Sequence, residues 1–427
     1  MRILLSLLIL TLVVGNIFSL DMGLAPGLSV KNGILYIATS LIVFRAVVSG
    51  NFKMEMGNFV ACYVALIGYA ILTWVIVGLF VQYKSYNMLL SGITLKNTLV
   101  DPLIFFMTFL FGIRTSEDAV RISKVLAFAC VLANIANLGA AFHFFPLDYM
   151  DDGGRMMGPL GEPNQYGDYI VMFLPLMCAV TMNSRGFARW LWIAGIMISL
   201  ASLLTTASRA AFVALIASGV LGAYMLRSYL STKVMMAWFL RAVAVSIAIV
   251  AAVSIEFSDL LRERFIGQSK SAGLGELSSG RTDFWVDVLD KLMSQPVAMI
   301  TGFGFDSYNT MGFFFTAHSY YLAQWFNLGM PGLILGILCF VLLIREARRA
   351  LAVALPVERT YLMAFVFSTL ALLIAILFGE LTSPMPYFWA YAGTCMRIAA
   401  DMRAGAEGKT GNENTRMEPQ GGMVQAP

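Results

Sequence analysis

Between Asn58 and Gln82 the chain runs NFVACYVALIGYAILTWVIVGLFVQ, a stretch with no charged side chain. As a helix it can cross a hydrocarbon layer of about 30 Å, and it is too apolar to rest in water. Eleven more apolar stretches follow the same pattern, near residues 3–20, 33–49, 97–113, 124–145, 165–183, 190–207, 209–226, 236–255, 319–344, 360–379 and 385–401. With 59% hydrophobic and 13% charged residues, the composition excludes an ordinary soluble domain. The expected fold is an all-α polytopic membrane protein of about twelve spans, and the lipid bilayer is its first partner.

The net charge of +4 is scattered between apolar segments, so a nucleic-acid face is not expected. The five cysteines all lie in apolar stretches without metal-ligand or disulfide spacing. Asp151 and Asp152 stand together without further ligands at a useful spacing, so no metal and no cofactor are expected.

The apolar run after Arg2 lacks a small-x-small cleavage site and reads as a retained first span. Distributing the basic residues over the connecting segments puts nineteen of the 29 on the side of the N-terminus. Positive-inside bias then makes both termini cytoplasmic and places a long loop, residues 256–317 between the ninth and tenth spans, on the opposite side. Within that loop, TDFWVDVLDKLMSQP places Trp285, Val288, Leu289 and Leu292 on one helical face, which predicts an amphipathic helix on the membrane surface or packed over the spans. Residues 1–145 read as N-terminal spans, 146–403 as the region carrying the chemistry, and 404–427 as a disordered polar tail. No internal repeat is evident.

An ionisable group at a membrane boundary usually has a partner or a task. Four such places lie on the side of the long loop. RMMGPLGEPNQYGDY gathers Arg155, Glu162, Asn164 and Asp168 around two turn-forming pairs, either as a polar hairpin with helix caps or as substrate contacts. In TTASRAAF, Arg209 has no acid facing it in the local sequence. It suits a ligand bringing its own negative charge, with lipid-headgroup snorkelling as the alternative. Arg281 precedes the amphipathic helix and would by itself be a solvated charge. His318, one of two histidines, opens the tenth span, either as a cap or as a group able to accept a hydroxyl proton near neutral pH.

The sequence GPLGEPNQYGDY, then TTASRAAFVAL, GRTDFW with MSQPVAMITGFGFDSY, and AHSYYLAQWFNLGMPGL resembles the O-antigen ligase/polymerase family of bacterial inner-membrane proteins. The resemblance covers roughly Arg155 to Leu343. It implies a GT-C-like fold whose long periplasmic loop covers a cavity, and a glycan donor carried on undecaprenyl diphosphate. It also implies an inverting, metal-independent transfer to an acceptor hydroxyl. Carried over by motif, Arg209 and Arg281 would hold the diphosphate and His318 would activate or orient the acceptor. One departure is Ser319, where the family commonly has Asn directly after the histidine. Arg155, Glu162, Asn164, Ser319 and Glu380 are further candidate substrate contacts.

The motifs leave the acceptor open between a second lipid-linked glycan, a lipid A core and a protein hydroxyl, and the first two are favoured. A chain-length regulator or a flippase is a further expected partner. The competing class is a transporter or flippase of lipid-linked glycans, which would be expected to carry charges or Gly/Pro breaks near mid-helix.

Overall fold

The computed structural model describes residues 1–20, 23–25, 28–48, 57–230, 281–311 and 318–416. In chain order these form α1 (Arg2–Ile17), a two-stranded antiparallel ribbon of β1 (Gly23–Ala25) and β2 (Leu28–Ser29), α2 (Val30–Val48), α3 (Asn58–Val81), α4 (Met88–Gly112) and α5 (Ser116–Ala141). Then come α6 (Pro163–Met182), α7 (Gly186–Thr205), α8 (Arg209–Met225), α9 (Arg281–Met293), α10 (Pro296–Thr301), α11 (Tyr320–Leu351), α12 (Pro356–Ala375) and α13 (Met385–Arg416). By length and composition, six helices among the described residues (α3, α4, α5, α7, α11 and α12) are able to cross a membrane. The chain is an all-α polytopic membrane protein, apart from the short ribbon.

Helices stand where eleven of the twelve expected spans fall, and the ninth, at 236–255, lies outside the described residues. Three differences from expectation bear on the site. The fourth helix starts at Met88, not at residue 97, because Asn87 caps it by accepting from the Leu89 and Leu90 amides at 3.1 Å. Lys96 sits inside this helix in a π turn and pairs with Asp101 at 2.8 Å. The last helix continues to Arg416, past residue 404, since extending an existing helix needs no new nucleus. The third difference concerns α11 and is described below.

The core is aromatic at its centre and hydrogen-bonded on one flank. Trp389 of α13 stacks on Phe59 and Phe340 and meets Tyr63 edge-on with ring centroids 5.2 Å apart, tying α3, α11 and α13 together. On the flank, Asn134 and Asn137 of α5 donate to Ser199 and Ser202 of α7, each at 2.8 Å, and the Tyr166 hydroxyl of α6 donates to Asn134 at 2.6 Å. Such bonds supply the interhelical adhesion that hydrophobicity cannot supply within lipid.

The tenth expected span is not one straight helix. Gly329 has φ 64° and ψ −167°, followed by Pro331, and divides α11 into two segments. A straight helix would separate Tyr320 from Gly336 by about 24 Å. Instead a Cβ on Gly336 would lie 3.5 Å from the Tyr320 hydroxyl, so the first segment folds back along the second. A turn of the preceding loop clamps the break, with the Phe303 and Gly304 amides donating to the Phe326 and Asn327 carbonyls at 2.8 and 2.9 Å. Gly302 and Gly329 meet there, where a Cβ on Gly302 would stand 2.4 Å from the Gly329 nitrogen.

The amphipathic helix forms as α9 and ends at Met293, with Pro296 opening α10. Val288 and Leu292 are buried in a small core with Phe303, Tyr308 and Phe326, so α9 packs over α11.

Candidate functional site

The hairpin before α6 is built by its glycines and proline. Gly158 (φ 56°) leaves no room for a side chain because the Tyr166 ring occupies that space, and Gly161 (φ 74°) turns the chain. Glu162 then caps α6, its carboxylate accepting from the Gln165 amide at 2.6 Å, and Pro163 opens the helix. Four residues on, Gly167 lets α6 approach the connection between α7 and α8, where its absent Cβ would stand 2.9 Å from Ala211 Cβ.

That connection is the TTASRAAF motif. Ala207 takes φ 46°, Ser208 caps α8, and Arg209 is its first residue. Arg155 donates to the Thr206 carbonyl and to Asn164 Oδ1, both at 3.0 Å. Ser208 donates to the same Asn164 oxygen at 3.0 Å, while Asn164 Nδ2 donates to Glu162 at 2.7 Å. Asn164 thus fastens the hairpin to the turn and leaves Arg209 at the edge of the clasp. Ser208 was not among the expected residues, although its place before Arg209 at a helix start is a readable capping signal.

Arg281, the first residue of α9, comes to the same place from far along the chain. Its guanidinium is pulled down by burial, raised by the Glu162 and Asp168 carboxylates, and lowered again by neighbouring Arg209. It remains a cation. The expectation of an ordinary solvated charge is corrected, because two acids of the α6 hairpin face it in space. Asp168, fully buried within that hairpin's helix, completes the group.

His318 stands at φ 44°, with Ser319 extended at φ −156° before α11. This left-handed backbone costs a non-glycine residue about 1–2 kcal/mol. Burial and the Arg281 charge lower the imidazole's pKa, and Glu162 partly opposes them. The ring is therefore neutral near pH 7. Ser319 is buried, and the Tyr320 amide donates to the Ile376 carbonyl at 2.9 Å, which ties the histidine turn to the end of α12.

The structure thus brings Arg155, Glu162, Asn164, Arg209, Arg281 and His318 into one charged cluster from four separate segments. Glu380 lines a cavity of about 740 Å³ beside α11, in which none of the three arginines nor His318 is a wall residue. Burial, then the Glu380 carboxylate, push the Tyr308 phenol up to about 12, which places Glu380 under the loop. Cluster and cavity are linked by Gln165, whose amide oxygen accepts from the Thr382 and Ser383 amides at 3.1 and 3.0 Å.

The family model for O-antigen ligase matches residues 194–337, a stretch that begins within α7, takes in α8, α9 and α10, and ends in α11 beyond its break. It includes Arg209, Arg281 and His318, whereas the Arg155–Tyr169 hairpin precedes it. No curated protein matches the chain. Over residues 194–337 the chain is therefore similar to the O-antigen ligase family, and its long apolar helices make it a multi-pass membrane protein.

Proposed function

We propose that this protein is a GT-C-type glycosyltransferase of the bacterial inner membrane. It moves a glycan from undecaprenyl diphosphate to an acceptor hydroxyl at the periplasmic face, as a surface-polysaccharide polymerase or O-antigen ligase. The observation that carries this reading is the meeting of Arg209, Arg281 and a neutral His318 around Glu162. In a single displacement the acceptor oxygen bonds to the anomeric carbon as the bond to the diphosphate breaks, which inverts the centre. The hydroxyl proton passes to the His318 imidazole. The charge growing on undecaprenyl diphosphate falls to Arg209 and Arg281, whose planar guanidiniums match phosphate oxygens in pairs. With two cations in that role, the proposed transfer needs no metal.

A transporter or flippase remains the second reading, and one observation favours it. The helix break at Gly329 is a feature expected of transporters, although here a loop turn clamps it. The deciding assay gives purified protein its lipid-linked glycan in detergent with a chelator and follows release of undecaprenyl diphosphate. Release by wild type, lost in His318→Ala, is the expected result. Movement of the lipid across vesicles without release would turn the assignment to a flippase.

A further inference from the structure

The cavity beside α11 differs in charge from the arginine cluster. Its described walls carry Lys31 against Asp306 and Glu380, with Asp101 already paired to Lys96, whereas the cluster has three arginines against Glu162 and the buried Asp168. A diphosphate suits the arginine cluster better than these walls. The cavity floor is apolar and aromatic, with Tyr63, Phe105 and Trp389, and its polar wall includes Gln324 and Asn327. The Gln324 Oε1 atom is buried and has no hydrogen-bond partner among the described residues. A buried acceptor left in that state costs about 1–3 kcal/mol, which a ligand hydroxyl would recover. Carboxylate and amide acceptors over aromatic faces are the chemistry that binds a sugar carrying no negative charge.

Position adds to chemistry. The fold-back at Gly329 sets Tyr320, two residues after His318, in the cavity wall, while His318 feels the charge of Arg281 in the cluster. The histidine therefore lies between the arginine cluster and a cavity lined by carboxylates and amides. Resting on the transferase reading above, we propose that this cavity binds the acceptor saccharide, a neutral or amino-sugar-bearing chain, with Gln324 and Glu380 accepting hydrogen bonds from its hydroxyls.

The test places a reporter at the exposed wall position Thr98, as Thr98→Cys in the full chain, and follows maleimide labelling in detergent. Three probes are compared: the oligosaccharide released by mild acid from the lipid-linked glycan, the core oligosaccharide released from lipopolysaccharide, and undecaprenyl diphosphate. Protection by either oligosaccharide is expected and identifies the acceptor's source. Gln324→Leu and Glu380→Gln in that background should each raise the half-protecting concentration at least tenfold while leaving undecaprenyl diphosphate binding within twofold, a control for folding. Protection by undecaprenyl diphosphate alone, or by no probe, overturns the proposal. The labelling needs no turnover, so saccharide protection in a protein that transfers nothing would sink the transferase reading and leave this site standing.

Discussion

Gly167 of α6 and Ala211 of α8 face each other so closely that a methyl group on the glycine would lie 2.9 Å from the alanine's Cβ, and 3.2 Å from Ser208 Cβ. Backbone contact at this point sets the distance between the Glu162–Asn164 hairpin and the turn that carries Arg209. Gly167→Ala should push the two helices apart at a cost of about 1–3 kcal/mol. The check is a lowered thermal midpoint in detergent, accompanied by a loss of transfer larger than the loss of folded protein.

Asn164 is expected to behave as a fastener. Its amide oxygen receives Arg155 and Ser208 together, and its nitrogen reaches Glu162. Asn164→Leu should leave those partners unsatisfied and cost about 1–3 kcal/mol. If thermal unfolding shows no loss, the clasp does not hold the hairpin to the turn.

The pH dependence of kcat/KM should report His318. A base must be neutral to accept a proton, and burial and Arg281 hold its pKa below the ordinary histidine value of about 6.5. Transfer should therefore stay level on acidification through that value and fall only further down. Arg281→Gln removes a cation, raises the pKa and moves the acid limb to higher pH. Glu162→Gln removes an anion and moves it lower. The position of the limb, and not the height of the curve, is the readout, and an unmoved limb in both variants would remove His318 from the proton transfer.

Arg209→Lys keeps the charge but gives up the paired geometry of guanidinium with phosphate oxygens. We expect kcat to fall by about tenfold or more, with Arg209→Ala falling by about 10²-fold or more, comparable with losing one transition-state donor. Equal activities of wild type and the lysine variant would show that charge alone is used.

Much of this was readable in the sequence. Span positions follow from apolar length, and the residues of the cluster were named because arginines and a histidine at membrane boundaries need partners. What local sequence could not show was which partners meet. Arg281 appeared solvated because Glu162 and Asp168 are more than a hundred residues away. The fold-back of α11 was missed although both of its signals, Gly329 and Pro331, were in view, since a long apolar run reads as one straight span.

That fold-back also bears on how such chains exchange parts. The loop turn at Gly302 to Gly304 and the break at Gly329 fit together backbone to backbone, and His318 lies on the segment between them. Neither half can be replaced alone without losing its counterpart. A recombinant that inherits the turn and the break from a single parent is expected to keep their fit, and one that takes them from two parents is expected to lose it. The loop turn and the first part of α11 are therefore a single unit, although they are separate elements of the chain.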